Sequence, residues 1–143
     1  MKKYTFWVKA AAVFMLLTAA VHLISLFVAI DPQNDTERQL VEAISKKLDM
    51  GAGFHRSFAN LFTALSSCFS LLCLLGGLLV FYLGRKIPDA QIWKGILNIN
   101  LLVFGICFVV MAVFTFLPPI ILTGLIFLSL ILARLTVPKT GTQ

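Results

Sequence analysis

Five polar residues, Arg56, Asn60, Thr63, Ser67 and Ser70, recur at intervals of four, three, four and three in an otherwise apolar stretch. On a helix that spacing lays them along one stripe. Thr18, His22 and Ser25 form a shorter stripe of the same kind. Lipid penalises such stripes, so both are expected to face the interior of a helix assembly. Two kinds of chemistry fit. Hydroxyl and amide groups can hold membrane helices together by modest hydrogen bonds. Alternatively, the stripes line a polar cleft for an amphiphilic, lipid-like ligand. The candidate ligand-binding residues are then His22, Arg56, Asn60, Thr63 and Ser67, with Arg56 near the headgroup and His22 deeper.

His22 and His55 are the two histidines and raise the question of a haem or a metal. Their depths disagree. With the first apolar run ending at Ile30, His22 lies about 12 Å below that end, whereas His55 sits at the mouth of the second run. A zinc site needs further ligands, and the apolar runs contain no Asp or Glu. No metal, cofactor or catalytic residue is therefore assigned. The missing acids also weaken proton-coupled transport and acid–base catalysis. The plainer reading makes His22 a packing residue and His55-Arg56 a solvated helix end.

These stripes need long apolar elements to carry them. Charged residues are 13% of the 143-residue chain and hydrophobic residues 59%. A soluble domain carries about 25% charged residues. Four runs are long enough to cross a bilayer: roughly 6–30, 58–83, 96–117 and 118–135. The expected fold is all-α, an antiparallel four-helix transmembrane bundle forming a single integral membrane domain over 1–143. A barrel would instead show alternating segments of about ten residues. The run from Ala10 to Ile30 holds 21 residues, longer than the roughly 7–15 of a signal-peptide core, so a retained span is expected.

Charge sets the expected orientation. Lys2, Lys3, Lys9, Arg85, Lys86, Lys94, Arg134 and Lys139 fall on one side, and Arg38, Lys46, Lys47 and Arg56 on the other. Five of the six acids, Asp31, Asp35, Glu37, Glu42 and Asp49, join the second group, leaving Asp89 with the first. The positive-inside rule then makes both termini cytoplasmic, in a bacterial inner membrane. The net charge of +6 reads as topology and contact with anionic lipid rather than nucleic-acid binding. Tyr4, Trp7, Tyr82 and Trp93 are expected at the headgroup level on the cytoplasmic side.

Between the first two spans, Asn34, Asp35 or Thr36 can cap a helix with Glu37 in its first turn. Leu40, Ile44 and Leu48 give it an apolar face, and Gly51 is a natural stop. A short extracytoplasmic amphipathic helix is expected, either a connector or a lid. Pro118-Pro119 should end one span and start the next in a tight hairpin. Asn98 and Asn100 lie about 200° apart on the third span and cannot face one neighbour together. Thr123 and Ser129 are the polar residues noted on the fourth. Cys68, Cys73 and Cys107 all lie within spans and read as small packing residues.

Arg56-Ser57 leading into Asn60-Leu61-Phe62, with Phe116-Leu117-Pro118-Pro119 at the last hairpin, resembles an uncharacterised family of small four-span bacterial integral membrane proteins. That resemblance covers most of the chain and implies a fold but no activity. His55, Arg56 and Asn60 are also similar in type to the Arg/His/Asn/Glu cluster of the membrane-associated eicosanoid and glutathione metabolism family, which shares the length, four spans and basic charge. The spacing departs from that pattern and no Glu follows. The expected placement is outward, whereas that family binds glutathione from the cytoplasmic side. The leading expectation is a non-catalytic membrane protein that binds a lipid-like ligand or acts as an accessory subunit. The alternatives are a membrane-embedded enzyme of the second family, and a structural protein with no ligand. The last would self-associate or pair with a membrane partner through small-residue faces, for which Ala10-Ala11-Ala12 and Gly76-Gly77 give thin support, with no GxxxG spacing present.

Overall fold

The computed structural model describes residues 3–28 and 31–138. Lys2, Lys139 and Ile30, which entered the charge split and the first span limit, lie outside these residues. The elements are α1 (Lys3–Ser25), α2 (Asp35–Ser45), β1 (Leu48–Asp49), β2 (His55–Arg56), α3 (Phe58–Lys86), α4 (Ala90–Phe114) and α5 (Leu117–Thr136). Helices α1, α3, α4 and α5 are each long and apolar enough to cross a membrane, the mark of an integral membrane protein.

Helix ends follow local chemistry. Ser57 caps α3 in a reciprocal pair with Asn60: the Asn60 amide donates to Ser57 Oγ at 3.2 Å, and the Ser57 amide donates to Asn60 Oδ1 at 3.1 Å. Asn34 caps α2 through its side chain, Oδ1 accepting from the Glu37 amide at 2.8 Å while the side-chain Nδ2 donates to Glu37 Oε1 at 2.9 Å. Asp89 caps α4 through the Gln91 amide at 2.6 Å. In α5 the prolines occupy the first turn, where their missing N–H groups have no helical partner to lose. Only Thr115 and Phe116 separate α4 from α5. The first helix ends at Ser25, short of the expected Ile30, and tightens into three successive turns over Leu26, Phe27 and Val28.

Helix α2 stops at Ser45, well before Gly51. Leu48 belongs instead to a two-residue strand, with Leu48 paired to Arg56 and Asp49 to His55 in an antiparallel register. Gly51, Ala52 and Gly53 all take positive φ, +86°, +50° and +78°, so the glycines serve a hairpin turn rather than a helix stop. Asp49 Oδ1 accepts the Gly51 amide at 2.8 Å and holds this turn. None of the residues of α2 is buried.

The core forms around α1. Its Ala11, Ala12 and Met15 are fully enclosed, because α1 packs against both α3 and α5, while α4 packs against α5. Small side chains allow this approach. An added Cβ at Gly77 would stand 3.1 Å from the Ala12 carbonyl oxygen and 2.9 Å from Leu16. Val8 lies against Gly84, Met15 against Gly76 and His22 against Phe69. Numbers thus rise along α1 as they fall along α3. Between α4 and α5, Phe108 covers Gly124, Phe127 covers Gly105, and the two rings stack at 6.0 Å. The small residues named as a docking face are used within the chain itself.

Candidate functional site

The cavity that meets the stripe on α1 has a volume of about 570 Å³ and lies among α1, α3 and the α4–α5 junction. Thr18, Val21, His22 and Ser25 line it from α1, and Leu65, Ser66 and Phe69 from α3. Met111, Thr115 and Phe116 close the α4 side, with Pro118, Pro119, Leu122 and Thr123 from α5. The volume falls within the range of about 300–1,000 Å³ typical of small-molecule sites.

Of the residues expected to bind a ligand, His22 lines this cavity and Arg56, Asn60, Thr63 and Ser67 do not. Arg56 is not on the helix at all: it sits in β2, exposed, two residues before α3 begins. Asn60 is committed to the cap with Ser57. Thr63 and Ser67 donate to the carbonyls of Ala59 and Thr63 on their own helix, at 3.0 and 2.8 Å. The reason lies in helix length. With His22 opposite Phe69, the last residue of α1, Ser25, stands near Ser66. Thr63 and Asn60 lie nearer the start of α3, past the level of Ser25, and both are exposed. Below that level the buried residues of α3 are Ser70, Cys73, Gly77 and Val80.

The same local economy holds for the buried hydroxyls. Thr18 donates to the Phe14 carbonyl at 2.7 Å, Ser70 to Ser66 at 2.9 Å and Thr123 to Pro119 at 2.7 Å. Each bond runs back one turn along its own helix, rather than across to a neighbour. Across helices, Arg134 Nε donates to Asn98 Oδ1 at 2.8 Å, whereas Asn100 donates to Ile96 of its own helix.

The hydrogen-bonding character of the cavity follows from these commitments. Thr18, Ser25, Thr115 and Thr123 spend their protons on backbone carbonyls, which leaves their oxygens as acceptors. The His22 ring and the Ser66 hydroxyl have no hydrogen-bond partner among the described residues, and His22 meets Phe69 edge to face at 5.2 Å. Donor and acceptor capacity therefore coexist, and no charged side chain lines the walls. Ser66, Thr115 and Thr123 were missed as lining residues. Ser66 lies one position from Ser67 but about 100° away around the helix, on the side of α3 that carries Phe69 and the buried Ser70 inward. No group of three or more His, Cys, Asp or Glu able to hold a metal occurs among the described residues.

The aromatic residues at the other end of the helices also depart from expectation. Trp93 and Tyr4 are 1% and 5% exposed, so they fill the core rather than anchor in headgroups. Trp93 donates its indole N–H to the Ile87 carbonyl at 2.9 Å, which satisfies its one polar group in the interior. Tyr82 is exposed. Compared with protein-family models, with curated proteins and with solved structures, the chain matches none.

Proposed function

We propose that the protein is a non-catalytic, antiparallel four-helix transmembrane bundle that holds one lipid-like ligand with an uncharged polar headgroup. The observation that carries this reading is the 570 Å³ cavity, whose walls combine His22 and Ser66 with four hydroxyl acceptors and no charge. A charged headgroup buried there would lack a counter-ion and would be strongly disfavoured. A carbonyl or hydroxyl on an apolar body meets both donors and acceptors. Arg56 is not part of the proposed site.

The excess of Lys and Arg on their side supports cytoplasmic termini, and with that orientation the cavity faces the outer leaflet of a bacterial inner membrane. Helix α2 and the hairpin then lie outside, and none of their residues lines the cavity, which favours a connector over a lid. An assembly role is less well supported, because Ala11, Ala12 and Gly77 are buried within the chain.

Native mass spectrometry of gently extracted protein tests the proposal. A stoichiometric neutral amphiphile is expected, with retention reduced about tenfold or more by Ser66→Leu, a factor equivalent to about 1.4 kcal/mol. A folded wild-type protein that carries no amphiphile, or retention unchanged in a folded Ser66→Leu variant, would overturn it.

A further inference from the structure

A second cavity, of about 340 Å³, opens at the opposite end of the helices. Tyr4, Thr5 and Val8 line it from the start of α1, Gly84 to Pro88 from the end of α3 and its turn, and Trp93 from α4. Its chemistry is the reverse of the first. Arg85 and Lys86 bring two fixed cations, and no acid lines it. Asp89 is next in the chain, but its carboxylate accepts the Gln91 amide. No ion pair to Arg85 or Lys86 occurs among the described residues. Arg85 lies over the Phe81 ring, 4.6 Å from its centre, an arrangement that orients the guanidinium while leaving its N–H groups available.

The cavity also holds an uncommitted polar group. Tyr4 is 5% exposed, lines the space, and its hydroxyl has no hydrogen-bond partner among the described residues. That hydroxyl is not itself enclosed by protein atoms, so it is open to the cavity and free to donate to a group bound there. The Thr5 hydroxyl likewise has no partner among the described residues. The Trp93 indole is spent on Ile87 and closes the wall. Guanidinium, ammonium and hydroxyl are all donors. They suit a group that only accepts.

We propose that this cavity binds a phosphate group, with Arg85 and Lys86 at its entrance and the Tyr4 hydroxyl within it. Phosphate offers several acceptor oxygens and charge, and charge-assisted hydrogen bonds from Arg and Lys are the strong ones. The phosphate belongs either to an anionic lipid headgroup or to a soluble phosphomonoester. The site is independent of the neutral cavity at the other end.

Purified protein in a nonionic detergent is titrated with phosphatidylglycerol, with diacylglycerol as the phosphate-free control, and with glycerol phosphate, following bound adducts and melting temperature. Wild type should prefer phosphatidylglycerol over diacylglycerol by about tenfold or more, and Arg85→Gln/Lys86→Gln should lose that preference. The charge-preserving Arg85→Lys/Lys86→Arg should keep much of it. A melting shift with glycerol phosphate, absent in the charge-removed variant, identifies a soluble source; a response to phosphatidylglycerol alone identifies the lipid. An equal response of wild type to phosphatidylglycerol and diacylglycerol, with none to glycerol phosphate, overturns the proposal, as does a phosphate response unchanged in the charge-removed variant. If that variant does not fold, Tyr4→Phe decides: weakened phosphate binding supports the site, and unchanged binding overturns it.

Discussion

At the level of Gly77 the first and third helices meet so closely that a single added carbon would touch the backbone of Ala12. About two turns further along, at His22 and Phe69, the same two helices border a cavity. The contrast comes from side-chain size. Ala11, Ala12 and Gly77 let backbones approach, and dispersion and packing then drive association where the hydrophobic effect gives no help. At His22 and Phe69 two rings meet edge to face, and the α4–α5 junction, built on two prolines, supplies no side chain that fills the space. The seam holds the fold together, and the gap is available for a ligand. A close seam and an open cavity thus come from one helix pair, separated along its length.

The largest expected effect would break the seam end of this comparison. Trp93→Ala removes the largest fully buried side chain and leaves the Ile87 carbonyl without its donor. A loss of about 3–5 kcal/mol is expected by analogy with large-to-small core changes, read by reversible unfolding in mixed micelles. A change below about 1 kcal/mol would mean that this end is not packed as described. Next, Gly77→Ala should cost about 1–3 kcal/mol through overpacking against Leu16 and Ala12, whereas Gly95→Ala, with open space around it, should cost nothing measurable in the same assay. Equal behaviour of the two glycines would remove the close seam. The smallest effect sits outside the spans. Ala52 holds φ of +50° between two glycines, so Ala52→Gly should stabilise the hairpin by less than about 1 kcal/mol. Slower exchange of the Met50 amide, which donates to the Phe54 carbonyl at 2.9 Å, and of the Phe54 amide, which donates to the Gly51 carbonyl at 3.0 Å, would report it. Faster exchange would show that the turn is not strained.

Much of the fold was legible because it depends on near-neighbour chemistry. The four apolar runs, a capped start of α2 among Asn34, Asp35 and Thr36, the proline start of α5 and the parting of Asn98 from Asn100 all follow from spacings within one or two turns. The short hairpin was not legible, since two-residue strands carry no periodicity and the Leu40–Ile44–Leu48 spacing continued into one of them. Nor was the burial of Tyr4 and Trp93. Aromatics at a span end look alike in sequence whether they face lipid or a neighbouring helix, and here the α3–α4 turn folds Trp93 inward against Ile87.

The candidate site divides along the same line. His22 with Thr18 and Ser25 could be read from α1 alone, because their periodicity fixes one face. On α3 a stripe of polar residues suggested Asn60, Thr63 and Ser67, and the cavity took Ser66 and Phe69 instead. Helical periodicity groups residues on one face but gives neither the way that face turns in the assembly nor its height relative to another helix. That relative height depends on where α1 stops and on which small residues lock it to α3. Amino-acid order by itself determined that this chain can cross a membrane four times and how its charges divide. Which polar groups meet, which spend their protons on their own backbone, and which are left facing empty space were decided only when the helices packed.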